Sequence, residues 1–252
     1  MRVLFYRYFV FCLAIILAGC VPPSGEAERN FFRGNRFLSE GLPQMAVQSY
    51  RRSLAEDPDQ PDVWFNLGVA HQRIDQWEQA AQAFRQSLSL RPSAEAWYNL
   101  GYAELRRDRP AEAAEALSRS VVIKANQPAA WNNLGISNRR LRRYRLAEEA
   151  FRKALSLDPE DPEILNNLAW LYLVWDDAGA ERRKKAIQLA KQADGKTGGR
   201  NARILATLAE AHFRNENRKS AVEAIRRALL LEPKNSLFLE RLAKYEGRKT
   251  SK

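Results

Sequence analysis

The chain has 252 residues, with a hydrophobic fraction of 45% and a charged fraction of 28%, the balance of a globular protein rather than a disordered one. It holds 41 Lys and Arg against 30 Asp and Glu, a formal net charge of +11. That leaves nucleic acid, an acidic membrane surface or an acidic protein open as counterparts. Two cysteines, Cys12 and Cys20, and two histidines exclude a disulfide framework and a four-ligand zinc site.

Met1 to Arg7 carries two positive charges and no acid, and an apolar run follows from Tyr8 to Ala18. At about 11 residues the run is short for a helix that crosses a bilayer, which needs roughly 20. A positive start, a short apolar run and small residues at its end read as a secretory signal peptide over residues 1–19. Leu17-Ala18-Gly19-Cys20 resembles the lipobox of bacterial lipoproteins. The resemblance implies cleavage before Cys20 and lipid on its thiol and new amino terminus. Several acyl chains anchor stably where one does not. Val21, rather than Asp, after the anchor implies the periplasmic side of the outer membrane if the cell is Gram-negative. Export disfavours nucleic acid as a partner. Loss of Arg2 and Arg7 leaves +9 on the mature chain. Residues 20–26 form a lipidated tether of at most about 25 Å, stiffened by Pro22-Pro23.

From residue 27 the chain repeats itself. Trp64-Phe-Asn-Leu-Gly68, Trp97-Tyr-Asn-Leu-Gly101 and Trp131-Asn-Asn-Leu-Gly135 are copies of one phrase. A second phrase follows each at constant distance: Ala80 with Phe84, Ala113 with Leu117, Ala147 with Phe151. Asp57-Pro58, Arg91-Pro92, Asp158-Pro159 and Glu232-Pro233 punctuate the ends. This pattern resembles the tetratricopeptide repeat (TPR) family. That family has a bulky residue at repeat position 4, Leu-Gly at 7 and 8, an aromatic at 11 and Ala at 20. An aromatic at 24, Ala at 27 and Pro at 32 complete it. The resemblance implies an all-α, right-handed α-solenoid of about six helix-turn-helix repeats, over 27–60, 61–93, 94–127, 128–161, 162–201 and 202–235. Position 8 must be small because the second helix crosses close there, and Pro at 32 ends that helix.

The first repeat is degenerate, with Asn30 where a bulky residue is expected. The fifth carries about six extra residues around Asp176–Lys185, expected as a longer inter-helix loop. Residues 236–252 read as a capping helix and basic tail, with Leu239, Leu242 and Ala243 on one face of Ser236–Glu246. No strand-like alternation appears, and one elongated domain is expected.

His71 and His212 both fall at repeat position 11, and read as core substitutions rather than a constellation. No nucleophile elbow, phosphate loop or His-Glu-x-x-His helix occurs. The expectation is a non-enzyme with no cofactor and no metal.

In TPR proteins the first helix of each pair lines a concave groove, so the resemblance implies a peptide-binding site there. Position 6 reads Phe32, Asn66, Asn99, Asn133, Asn167 and Thr207. A ladder of amides suits the backbone of an extended peptide, although Asn at this position is also common local support in the family. Asn132 and Asn166 adjoin it. Position 13 reads Arg73, Arg106 and Arg140, with Arg214 in repeat six, and would favour carboxylates or phosphates. Phe65, Tyr98, Tyr102 and Trp170 interleave; Trp170 reads equally as a binding hot spot and as core. Two basic clusters, Arg139–Arg145 and Arg182–Lys185, read as solvated surface or as contacts for anionic lipid or cell-wall polymer.

The layout of lipobox and about six repeats resembles pilotin-type lipoproteins that assist type IV pilus secretins. It implies a membrane-anchored adaptor that binds extended or helical segments of protein partners. A scaffold for peptidoglycan hydrolases or synthases, and a peripheral binder of lipid or cell wall, are the alternatives.

Overall fold

A computed structural model of the chain describes residues 25–175 and 179–248. The signal peptide, Cys20, the tether up to residue 24, residues 176–178 of the insertion and residues 249–252 of the tail lie outside the described residues.

Among the described residues there are thirteen helices and no strand. In order they are α1 (Glu26–Ser39), α2 (Pro43–Glu56), α3 (Pro61–Gln72), α4 (Trp77–Leu90), α5 (Ala94–Arg106), α6 (Pro110–Ile123) and α7 (Pro128–Arg140). They continue with α8 (Tyr144–Leu157), α9 (Pro162–Val174), α10 (Gly179–Thr197), α11 (Ala202–Arg214), α12 (Arg218–Leu231) and α13 (Ser236–Glu246). Odd-numbered helices up to α11 are the first of a pair and even-numbered ones the second. This is the all-helical TPR fold.

The helices start and stop where local chemistry says. Proline opens α2, α3, α6, α7 and α9 in the first turn, where its missing N–H is not needed. Between first and second helix the chain turns through one left-handed residue: Gly41, Asp75, Asp108, Arg142 and Glu216, with φ between 55° and 74°. All five occupy repeat position 15. The following N–H bonds back to the carbonyl at position 11, as in Gln76 to His71 at 3.0 Å and Arg143 to Asn138 at 2.8 Å. That wraparound bond ends the first helix and requires the left-handed residue. Only the first repeat places glycine there.

The pairs are held by a close approach at position 8. A Cβ added at Gly34 would lie 2.4 Å from the Tyr50 ring, one at Gly68 2.6 Å from Phe84, and one at Gly135 2.6 Å from Phe151. Each ring, at position 24, is fully buried. Ser53 and Ser87, at position 27, donate to the carbonyls of Ala27 and Pro61 at 2.7 and 2.8 Å, fastening each second helix to the start of its own first helix. Trp64 and Trp131, at position 4, donate their indole N–H to the carbonyls of Pro58 and Ala125, both at 2.8 Å, so the indole closes the end of the preceding repeat.

The chain groups into two compact units, residues 1–103 and 104–252, and two expectations, on repeat five and on α13, are corrected. Repeat pairs touch only their neighbours, so no common core obliges all of them to group together. The extra residues of repeat five do not make a longer loop: Gly179–Lys185 is helical, and α10 runs to 19 residues. Glu181, Arg182, Lys184 and Lys185 are good helix formers, so the insertion lengthens the second helix instead. In α13 the buried side chains are Phe238 and Tyr245, whereas Leu239 is 48% exposed. Phe213 takes the Tyr245 ring in a stack 4.6 Å apart, and that contact sets the rotation of the helix.

Among the described residues no helix is long and apolar enough to cross a membrane.

Candidate peptide-binding faces on the first helices

In the unit of residues 1–103, α3 presents Phe65, Asn66 and, at its C-cap, Arg73, and α5 presents Tyr98, Asn99 and Tyr102. The rings and amides are half-buried and Arg73 is exposed. Phe65 packs tilted on Phe84 at 5.6 Å, and Tyr102 meets Trp77 edge-on at 5.8 Å. Asn66 donates its amide to Asn35 Oδ1 at 2.9 Å, and the same oxygen accepts the Tyr50 hydroxyl at 2.8 Å. Burial pushes that hydroxyl's pKa up to about 12, so it stays a donor. Asn99 turns to its own helix and donates to the Glu95 carbonyl at 2.8 Å.

In the unit of residues 104–252, Arg106 ends α5, Asn132, Asn133 and Arg140 lie on α7, and Asn166, Asn167 and Trp170 on α9. Asn167 donates to Asn132 Oδ1 at 3.0 Å, joining neighbouring first helices. The amide ladder is therefore partly structural: Asn66 and Asn167 tie one first helix to the one before. Arg140 is likewise engaged, donating to the Leu105 carbonyl at 3.2 Å and pairing with Asp108 at 3.1 Å. It fastens a turn rather than waiting for an anion. Asn166 leaves the site altogether. It is 3% exposed and its Oδ1 has no hydrogen-bond partner. α9 has α7 and α8 on one side and α10 and α11 on the other, so position 5 is covered there. Trp170 remains half-buried, with the guanidinium of Arg241 from α13 5.4 Å above its ring.

Three buried carboxylates escaped the sequence reading. Glu104 takes Arg107 Nη1 on both oxygens at 2.9 and 2.8 Å. Glu148 accepts the Tyr172 hydroxyl at 2.7 Å and pairs with Arg152 at 2.7 Å and Arg182 at 3.3 Å. Arg182 also lies 4.5 Å above the Trp175 ring, so this member of the second basic cluster is a structural clasp, not loop surface. Glu210 accepts the Tyr245 hydroxyl and Arg214 Nε, both at 2.7 Å. Burial would raise its pKa, but these two hydrogen bonds and the neighbouring cations hold it below the ordinary value. Glu104 was findable: an acid at position 11, where the family places an aromatic, calls for a partner.

His71 and His212 are both buried, and burial lowers both pKa values. His71 Nδ1 sits 2.7 Å from Gln76 Oε1. Among the described residues no group of three or more His, Cys, Asp or Glu is placed to hold a metal ion.

Known proteins of the same build are similar in fold. The structure of PilW, described as a widely conserved type IV pilus biogenesis factor, superposes with a TM-score of 0.71 at 20% identity, covering 86% of this chain and 97% of that one. The Pseudomonas aeruginosa pilF structure gives a TM-score of 0.69 at 22% identity, covering 89% and 98%. At these identities the likeness is one of fold alone. A TPR repeat-containing protein of Methanocaldococcus jannaschii, MJ1428, is 32% identical over 59 residues, 23% of this chain and 10% of its own length. The chain thus spans about a tenth of that curated relative. The family model for the Cilia and flagella-associated protein 70 C-terminal domain matches residues 24–235. With most of its length matched, the chain belongs to this tetratricopeptide-repeat family.

Proposed function

We propose that the chain is a non-catalytic adaptor that holds extended or helical segments of protein partners on its first-helix faces. It is anchored by lipid on Cys20 at the periplasmic side of an outer membrane, and it serves assembly of an envelope machine such as a type IV pilus or its secretin.

The observation that carries the binding role is the surface made by Asn132, Asn133, Asn167 and Trp170 on α7 and α9. An Asn amide has two N–H groups and two acceptor lone pairs. Asn167 and Asn132 use one donor and one acceptor on each other. They are thereby held in place while keeping capacity for a peptide backbone, and Trp170 offers a ring beside them. The pilus role rests on the fold likeness to PilW and pilF. The anchor rests on the residues before Cys20.

Three experiments test this. Asn133→Ala with Trp170→Ala should lose the partner captured by cross-linking while leaving helical content unchanged; undiminished capture would remove the first-helix face as the site. In a deletion strain, normal secretin multimers and normal piliation would end the pilus assignment. Palmitate labelling that survives Cys20→Ala would end the anchor.

A further inference from the structure

The positive charge of the chain is concentrated. α8, α10 and α12, three successive second helices of the 104–252 unit, carry thirteen Lys and Arg against five Asp and Glu. They therefore hold +8 of the chain's +11. The second helix α4 is neutral by the same count, and α6 is acidic by one.

Ion pairs link the three basic helices in series. Arg182 of α10 reaches Glu148 of α8 at 3.3 Å, and Arg227 of α12 reaches Asp194 of α10 at 3.0 Å. A third acid, Glu181, is taken by Lys185 on its own helix. Two of the five acids thus link neighbouring helices, and the cations outnumber the acids at the surface. Arg145 and Lys153 on α8, Lys184 and Lys191 on α10, and Arg218 and Lys219 on α12 are all exposed. None of the six is in an ion pair among the described residues. Within α8 and α10 their spacing of seven or eight residues is two helical turns, so they line one stripe. Leu146 on α8 and Leu230 on α12, 51% and 81% exposed, flank them.

We propose that this face docks on an anionic lipid bilayer. Its cations sit on long flexible stems spread over three helices. A folded acidic protein would need a packed apolar centre to its contact, and two flanking leucines do not make one. A fluid anionic leaflet needs no such centre: its headgroups move to meet scattered cations, and isolated leucines enter the interface beside them. Each Lys or Arg brought to an anionic leaflet is worth roughly fivefold in affinity, and the attraction is screened over about 10 Å at ordinary salt. The proposal concerns second helices and is independent of the peptide-binding reading of the first helices.

The test is sedimentation of the full chain with phosphatidylcholine vesicles, with and without phosphatidylglycerol. The ratio of the two affinities cancels any contribution of an N-terminal anchor common to both. Wild type should prefer the anionic vesicles, and less so at high salt. Lys184→Gln, Lys191→Gln, Arg218→Gln and Lys219→Gln together should lower that ratio by about a hundredfold or more. The charge-matched control, Arg29→Gln, Arg33→Gln, Arg51→Gln and Arg52→Gln, should leave it within about threefold, since net charge alone is weak steering. A charge-keeping variant, Lys184→Arg, Lys191→Arg and Lys219→Arg, should retain it. No preference in wild type, or equal loss in the face variant and the control, would overturn the proposal. So would a variant that loses polyglutamate binding but keeps its vesicle preference, since the face would then be built for an acidic protein. Unchanged vesicle preference in Asn133→Ala with Trp170→Ala separates this face from the first-helix site.

Discussion

The early repeats and the last two bring paired helices together by different means. In the first, second and fourth repeats a glycine at position 8 lies beneath a buried ring, Gly34 with Tyr50, Gly68 with Phe84, Gly135 with Phe151. In the fifth and sixth, position 8 is Ala169 and Ala209, which share a core with Ala190 and Ile225 rather than with a large ring at position 24. One extra methyl on the first helix is matched by the absence of a ring on the second. The helix starts differ in parallel. Among the early helices α2, α3, α6 and α7 open on proline without a side-chain cap, whereas Asn201, Asn217 and Asn235 cap α11, α12 and α13 through side-chain oxygens. Asp161 does so for α9. Small-to-large complementarity is thus conserved as a sum of volumes, not as a residue type.

The largest effect that would break this comparison is Gly68→Ala. Phe84 is fully buried and cannot withdraw, so we expect about 2–3 kcal/mol of destabilisation, read from urea unfolding. Adding Phe84→Ile should restore part of it, because the pair then imitates Ala209 with Ile225. In the late repeats the reverse change, Ala209→Gly, should cost only about 1 kcal/mol, the ordinary helix penalty for glycine.

Next in size is Glu148→Gln. The amide still accepts from Tyr172 but leaves Arg152 and Arg182 without their counter-charge. A loss of about 2 kcal/mol in thermal or urea unfolding is expected. Retention of full stability would show that the clasp of α10 onto α8 rests on Arg182 over Trp175 instead.

Acid should act on both regions. Burial lowers the folded pKa values of His71 and His212 below 6.5. The unfolded chain then binds the protons more readily, so their contribution is present above pH 6.5 and is lost as pH falls through the folded values. The folded pKa of Glu210 is also lowered, from 4.5, and its contribution is lost further down. The melting temperature should therefore fall between neutral pH and pH 5. His71→Gln and His212→Gln together should flatten that slope; a slope unchanged in the double variant would sink the assignment.

The smallest effect concerns the turns. Arg142 holds a left-handed conformation that Gly41 adopts without strain in the first repeat. Arg142→Gly should raise stability by less than about 1 kcal/mol, the relief of strain being partly offset by the freer unfolded chain.

Most of the fold was legible because each repeat announces itself in short-range terms. Leu-Gly beside a bulky residue, an aromatic sixteen positions later and a terminal proline state which faces meet and where helices end. The insertion was misread because a count of extra residues does not say whether they lengthen a loop or a helix. Gly179, left-handed and followed by helix formers, starts α10 early. The site was less legible. Asn66, Asn132 and Asn167 are the right residue types on the right helices, but which amides bond to each other depends on how neighbouring first helices are offset. Asn166 carries the same chemistry one residue away and is buried.

By itself the sequence determined the family, the helix pairs, the small-under-large packing and the excess of positive charge, all of which depend on residues at fixed separations along one chain. Only the tertiary structure decided which of those charges clasp helices and which face solvent, which asparagines are held and which are buried, and that ion pairs join the basic helices α8, α10 and α12. Those outcomes depend on distances between separate helices, and a linear period of about 34 residues contains no such distances.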